Sequence, residues 1–240
     1  DVQVDTVFTP EMFGELASEM ASVGMEGVDT VAAMWEKDYR QRKIISGFMK
    51  DKDIGNKRLA SMPDRITNTI NTLDEGAVCR PTIINCYDKP MDSVGDWWVQ
   101  WKEFHFQRKV LVKEKKGTSQ PKPVWSMLAE IKKEKYPAIT EAEEAVSVPL
   151  QLLCGAIFDA ILVHMVNTVS PGTWFGLKQS ICDSLVLRKT ELQLALLQTQ
   201  YVGMDVVFLQ EVAAMFVDKC EAQPAIASTF HMMTPEQMDG

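Results

Sequence analysis

The sequence has no uninterrupted apolar run of the length that a bilayer requires, and it has no excess of basic residues. Its longest apolar stretch, residues 146–169, is interrupted by Pro149, Gln151, Asp159, His164 and Asn167. A membrane-spanning helix needs about 20 predominantly apolar residues. The 240 residues carry a formal charge of −8, which repels phosphate backbones. The sequence therefore predicts neither a transmembrane segment nor a general nucleic-acid-binding protein.

Several motifs that mark particular classes of site are missing as well. The five cysteines show neither Cys-x-x-Cys nor Cys/His ligand spacing: Cys79, Cys86, Cys154, Cys182 and Cys220. This pattern argues against a structural zinc site, and reduced thiols favour a reducing compartment, the cytoplasm or an organelle interior. Because a Gly-rich phosphate loop, a Gly-x-Ser-x-Gly elbow and a His-Glu-x-x-His motif are also absent, the corresponding enzyme classes receive no support.

What is present is the composition of a globular protein, with 46% hydrophobic and 24% charged residues. This length suits one large domain or two small ones. Basic residues cluster in two runs, at residues 108–116 and 132–135. Such runs more often form a solvated face than a phosphate-binding patch, and we favour the solvated face.

The first half of the chain is predicted to be mainly helical. Thr9-Pro10-Glu11 has an N-cap hydroxyl, a proline at the first helical position and an acid in the first turn. Residues 113–123 have the charged, Gly- and Pro-containing composition of a linker. We therefore expect a helical N-terminal region of unknown role at residues 1–112, a linker at 113–123 and a second domain at 124–240.

An aromatic segment within the first half leaves alternatives open. Residues 96–112 alternate partly between apolar and polar side chains, which favours a strand, although a helix also fits. The same segment contains a patch that is either core or a contact surface, formed by Trp97, Trp98, Trp101, Phe104 and Phe106.

The second half alternates between apolar and amphipathic segments. An apolar segment, residues 146–168, is followed by a long amphipathic helix pattern at 173–200 and a short helix at 213–220. Between these helices, Asp205 opens a short β-branched apolar run that ends in Gln210-Glu211-Val212. Such a run is typical of a buried strand, so the rhythm indicates an α/β class, α+β overall.

The run from Asp205 to Glu211 resembles the metal-binding strand of the endonuclease/exonuclease/phosphatase family, in which a strand ends in Leu-Gln-Glu. The family order of a strand ending in Asn, a helix with Arg and a strand ending in Glu is matched by Asn167, Arg188 and Glu211. The resemblance covers about residues 146–240. It implies the first strands and helix of an incomplete endonuclease/exonuclease/phosphatase-like sandwich, preceded by the helical N-terminal region.

This resemblance implies a magnesium-dependent phosphodiester or phosphomonoester hydrolase acting on a phosphate-containing substrate. Glu211 would be a ligand of Mg²⁺, which prefers oxygen, and Asn167 would be a catalytic residue that positions phosphate. The later Gly-Asp-Phe-Asn-type and Ser-Asp-His-type motifs of the family are absent from the 240 residues. We therefore expect an incomplete sequence or a truncated domain, inactive as such, binding Mg²⁺ weakly and needing a protein partner to cover the open half-domain.

Two alternatives to the hydrolase remain open. The chain is a non-catalytic structural or docking subunit of a larger assembly, since the later motifs are missing. Otherwise residues 206–214 form one continuous helix, with Glu211 on its solvent face, in an all-α bundle.

Overall fold

The computed structural model describes residues 1–114 and 117–235, and it is mostly helical. Helices hold 57% of the residues and strands only 5%. The described chain divides into two compact units, residues 1–178 and residues 179–240. The expected α/β class is therefore wrong, and no strand of an endonuclease/exonuclease/phosphatase-like sandwich occurs in the described residues after Pro123.

The first unit consists of short helices around one long helix. Its helices are α1 (Val4–Val7), α2 (Pro10–Ser22), α3 (Val28–Lys37), α4 (Lys52–Lys57), α5 (Ser61–Thr67), α6 (Val94–Lys102), α7 (Glu141–Ala145) and α8 (Ser147–Val169). The next helix, α9 (Trp174–Cys182), begins in the first unit and ends in the second. Two antiparallel pairs of strands complete the first unit: β1 (Thr69–Asn71) with β2 (Ala77–Cys79), and β3 (Lys109–Val110) with β4 (Lys122–Pro123). In register, Ile70 lies opposite Val78, and Val110 opposite Lys122.

The start of α2 confirms the predicted helix signal. The Thr9 hydroxyl accepts a hydrogen bond from the Met12 amide at 3.3 Å, and Pro10 occupies the first helical position. The inward face of α2 buries Phe13, Leu16 and Met20 in the main core.

Helix α8 lies at the centre of that core. The prediction of a strand ending at Asn167 is wrong, because Asn167 belongs to this helix. It is apolar on nearly all faces, as a helix surrounded by other helices must be, so its sequence lacks the 3.6-residue periodicity of an amphipathic helix. Its length and composition alone would also allow it to cross a membrane, but core helices pass the same test. The Asp159 side chain at its middle is fully buried and ion-paired.

The aromatic segment is helical rather than a strand. Residues 94–102 form α6, and a π-helical turn, Glu103–Gln107, follows it directly. All five aromatic residues of the predicted patch are buried: Trp97, Trp98, Trp101, Phe104 and Phe106. The patch is therefore core, and it is not a contact surface. Trp98 and Trp101 stack at 5.4 Å between ring centroids.

The second unit contains α10 (Lys189–Thr199), α11 (Ala214–Glu221) and α12 (Pro224–Ala227), preceded by a π-helical turn, Asp183–Leu187. The long predicted helix at 173–200 is thus present in segments, and the short helix predicted at 213–220 is confirmed. The buried core of the second unit is small and consists of Leu194, Leu197, Cys220 and Ile226.

Residues 205–210 belong to neither a strand nor a helix. The strand prediction and the continuous-helix alternative for this run are therefore both wrong. A strand is stable only when neighbouring strands satisfy its backbone groups, and the described part of the second unit provides none. Two residues of the predicted linker, 115–116, and the last five of the predicted second domain, 236–240, lie outside the described residues.

Candidate functional site

Glu211, the predicted metal ligand, lies at the end of an exposed apolar run. Its backbone has φ +53°, in the left-handed region, and its side chain is exposed. In the run before it, the Phe208 side chain is 91% exposed. The carboxylate of Glu211 is therefore sterically accessible to a metal ion.

Asn167, the predicted catalytic residue, lies in the last turn of α8 and is half-buried. Its Nδ2 donates to the Met91 carbonyl at 2.9 Å, and its Oδ1 accepts from the Trp174 indole at 2.8 Å. Through these two hydrogen bonds, the Asn167 side chain connects the end of α8 with Met91 and with Trp174. Asn167 and Glu211 belong to different compact units, and the catalytic role of Asn167 stays a prediction.

The remaining residues of the resemblance make local contacts. The Arg188 guanidinium donates to both carboxylate oxygens of Glu191 at 3.0 Å and pairs with Asp183 at 3.6 Å. Among the described residues, no group of three or more His, Cys, Asp or Glu side chains is arranged to hold a metal ion. In the part of the chain that is described, Glu211 is therefore a single candidate ligand rather than a complete metal centre.

The basic runs carry acidic partners. Lys132 pairs with Glu130, and Lys133 lies 3.2 Å from Glu141. Arg108 donates to Glu75. These pairs agree with a solvated face, which we favoured over a phosphate-binding patch.

A buried polar network in the first unit escaped the sequence reasoning. Asp159, in the middle of α8, accepts from the Thr82 hydroxyl at 2.8 Å and from the Trp101 indole at 3.0 Å. Arg80 reaches it through Nε, 2.8 Å from Oδ2, and through Nη2, 3.1 Å from Oδ1. A single acidic residue inside a long apolar stretch was the available signal, because a carboxylate is buried only when donors surround it.

Arg80 also connects this network to α5. Its Nη2 donates to Asp64 at 2.7 Å and its Nη1 to the Thr67 hydroxyl at 2.9 Å. Burial opposes the charge of the guanidinium, but the carboxylates of Asp159 and Asp64 raise the pKa of Arg80 above its ordinary value. Arg80 is therefore a permanent buried cation that fixes the loop following β2.

That loop forms one side of a cleft with a cavity volume of about 390 Å³. The other sides come from the β1–β2 hairpin and from α6 with its π-helical turn. The lining includes two buried apolar side chains, Val78 and Phe104, together with thiols, a phenol and charged groups: Cys79, Cys86, Tyr87, Asp88, Lys89, Glu103 and Arg108. This volume lies in the range of small-molecule pockets, about 300–1,000 Å³.

Tyr87 is held within the cleft as a neutral phenol. Its hydroxyl donates to Gln100 Oε1 at 2.5 Å. Partial burial, together with the nearby carboxylates of Asp88 and Glu103, raises the pKa of Tyr87 to about 12. Tyr87 therefore serves the cleft as a hydrogen-bonding group and carries no charge at neutral pH.

His105 lies in the π-helical turn after α6, where it is buried, with its Nδ1 3.0 Å from the Trp101 carbonyl. Burial lowers the pKa of His105 to about 3, despite the hydrogen bond to Trp101. The folded protein thus keeps this imidazole neutral, while the unfolded chain binds a proton near pH 6.5. It is therefore a structural side chain.

We expect a measurable loss of stability on mild acidification. Between about pH 6.5 and pH 3 only the unfolded state protonates His105, so each pH unit lowers the free energy of unfolding by about 1.4 kcal/mol. Urea denaturation at pH 7 and pH 5 should therefore show a smaller difference for His105→Phe than for the wild type. Equal differences for both proteins would contradict the buried neutral state.

Comparisons with known proteins place most of the chain in one family. A family model described as a domain of unknown function, DUF8234, matches residues 1–179. This range ends within one residue of the first compact unit, residues 1–178. No curated protein and no solved structure matches the chain. The chain belongs to the DUF8234 family, whose domain comprises the helical unit with the Arg80–Asp159 network and the cleft.

Proposed function

We propose that the second unit contributes Glu211, as a magnesium ligand, to a phosphodiester or phosphomonoester hydrolase, and that the DUF8234 domain accompanies it as a non-catalytic helical domain. The observation that carries this proposal is the run Asp205–Glu211. Four successive apolar residues, Val206 to Leu209, lie shortly before the accessible carboxylate, and three of them are exposed while Val207 is half-buried.

The exposure of this run indicates that it is built to be covered. Thirteen of the twenty large hydrophobic side chains exposed in the described residues lie between positions 181 and 233. Leaving such a surface in water is unfavourable at about 25 cal/mol per Å² of apolar area. We infer that a further polypeptide segment covers the run and carries the Asp and His motifs that the resemblance requires.

The Glu211 carboxylate supplies part of the ligand set that Mg²⁺ requires. Magnesium is a hard cation that binds one or two carboxylates and keeps several waters. Glu211 supplies one such oxygen ligand, and the covering segment supplies the rest. When bound, the ion stabilises the negative charge that develops on a phosphoryl group. The contribution of Glu211 is to hold the cation at one fixed position.

The intact mass of the native protein, with peptide sequencing, tests this proposal first. We expect a native assembly larger than the 27.0 kDa of the 240 residues, with an additional Asp- and His-bearing segment. It should hydrolyse bis(p-nitrophenyl) phosphate or p-nitrophenyl phosphate in the presence of Mg²⁺. A native species of 27.0 kDa, with no bound polypeptide carrying those motifs, would overturn the hydrolase.

A second candidate function is docking without catalysis, and a specific surface favours it. In the π-helical turn of the second unit, Asp183–Leu187, the side chains of Leu185, Val186 and Leu187 are 66%, 59% and 71% exposed. These residues lie outside the Asp205–Glu211 run, so a covered active site does not account for them. Residues 179–240 contain eight acidic and three basic residues. The surface therefore suits a protein partner whose apolar face is surrounded by basic side chains.

Two matched substitutions distinguish binding through this surface from nonspecific hydrophobic association. In cross-linking of the native protein, Leu187→Asp should abolish the adduct with a partner whose linked peptide is apolar and basic. Val99→Asp, at another exposed apolar position, should leave the adduct unchanged. Docking through this surface is refuted if both variants keep the adduct, or if only copies of this chain are cross-linked.

A further inference from the structure

The charged residues that line the cleft leave an excess of negative charge. Three carboxylates and two cations belong to the lining: Glu75, Asp88, Glu103, Lys89 and Arg108. The Arg108 guanidinium donates to Glu75, so these two charges offset each other. The exposed carboxylates of Asp88 and Glu103 then outnumber Lys89, and neither has an ion-pair partner among the described residues. A cation is therefore the ligand charge that the cleft favours.

Tyr87 lies close to both of these carboxylates. Partial burial has the largest effect on the pKa of Tyr87 and raises it. The carboxylates of Asp88 and Glu103 raise the pKa further, and each acts more strongly than the Arg108 guanidinium, which lowers it. The summed potential of these three charged groups at the phenol is therefore negative, which agrees with the charge balance of the lining.

The hydrogen bonds of Tyr87 add a third acceptor to the two carboxylates. Gln100 Nε2 donates to the carbonyls of Pro90 and Asp96, at 2.8 and 3.3 Å. These bonds fix the Gln100 amide, and its Oε1 accepts the only proton of the Tyr87 hydroxyl. The phenol oxygen can therefore accept a hydrogen bond from a molecule in the cleft, but it has no proton left to donate.

The backbone of Tyr87 is held in place as well. Its amide donates to Asn85 Oδ1 at 2.9 Å, and its carbonyl accepts from the Lys178 ammonium group. Asn85 Nδ2 donates in turn to the carbonyls of Asn68 and Arg80, at 2.6 and 2.9 Å. The phenol acceptor is thus positioned by the fold itself, which reduces the ordering cost of binding.

We propose that the cleft binds a small organic ammonium ion, a primary amine with an apolar body. Its three N–H bonds donate to the carboxylates of Asp88 and Glu103 and to the phenol oxygen of Tyr87. The apolar body contacts Val78 and Phe104, two buried side chains of the lining. The described residues provide no cluster of ligands for a metal ion, which favours an organic cation. The cavity volume of about 390 Å³ accommodates a small molecule of this kind.

Titration of three matched probes into the isotope-labelled full chain tests this site through the chemical shifts of backbone amides. The probes are phenethylamine, which is a cation, phenethyl alcohol, which is neutral, and phenylacetate, which is an anion. We expect the amine to cause saturable shifts at residues 75–79, 86–89 and 103–108. The alcohol and the acid should bind at least about tenfold more weakly, because neither forms charge-assisted hydrogen bonds with the carboxylates.

Matched variants separate the cleft from the general negative charge of the surface. Asp88→Asn and Glu103→Gln each remove one charged acceptor of the ammonium group, so each should weaken amine binding by about tenfold. Glu26→Gln removes a carboxylate that is not part of the lining and should bind the amine like the wild type. All three side chains are exposed, so each variant should keep the wild-type Tm.

Four results would each overturn the proposal. The first is binding of phenethyl alcohol or phenylacetate as tight as that of the amine. The second is a set of amine-induced shifts that lies entirely outside the cleft, and the third is no saturable shift with any probe. The fourth is amine binding by Asp88→Asn or Glu103→Gln that is as tight as binding by Glu26→Gln.

Discussion

Replacing Asp159 by alanine is expected to lower the free energy of unfolding of the DUF8234 domain by about 3–5 kcal/mol. The substitution removes the acceptor of Thr82 and Trp101 and leaves the Arg80 guanidinium buried beside Asp64 alone. A buried cation that loses the carboxylate paired with its Nε costs several kcal/mol, because neither water nor another anion replaces that partner. Guanidinium denaturation followed by circular dichroism measures the loss.

Matched variants separate the network from generic damage to the core. Arg80→Met combined with Asp159→Leu removes both charges and should restore most of the lost stability. Glu114→Ala breaks a partly exposed pair with Lys122 and should cost about 1 kcal/mol or less. If Asp159→Ala costs no more than Glu114→Ala, the network does not hold the loop after β2.

The helices that the sequence predicted well are those with local signals. Thr9-Pro10 predicts the start of α2, because capping depends only on adjacent residues. The pattern at residues 173–200 predicts helices, since one face of that segment is apolar and the other polar. These signals require no knowledge of what the segment packs against.

The errors arose where the surroundings decide the structure. An apolar run such as residues 146–168 suits a buried strand or a fully enclosed helix, and only the neighbouring helices select the helix. Residues 205–210 have the composition of a strand, but a strand also needs a hydrogen-bonding partner, and the described residues offer none. The fold class was therefore wrong, although the local properties of these segments were recognised.

The buried network and the cleft could not be predicted from the sequence, for a related reason. Arg80 and Asp159 are 79 residues apart, and nothing in the local pattern pairs them. The unusual feature, an acid in the middle of an apolar segment, indicated that a partner had to exist without identifying it.

Replacing Glu211 by glutamine is expected to lower magnesium-dependent hydrolysis by the native protein by more than about 100-fold. Losing a residue that only orients a metal ligand already costs about 10–100-fold, and losing the ligand itself costs more. Glutamine keeps the size and the exposed position of the side chain but removes the charge that attracts Mg²⁺. Initial rates on bis(p-nitrophenyl) phosphate, measured over a range of Mg²⁺ concentrations, give the effect.

The control is Glu221→Gln, which removes an exposed carboxylate of the same unit at the end of α11. This variant should keep the rate and the magnesium dependence of the native protein. Because the side chains of Glu211 and Glu221 are both exposed, both variants should unfold at the wild-type Tm. An unchanged rate for Glu211→Gln in an active native protein would show that Glu211 is not a ligand of the metal ion.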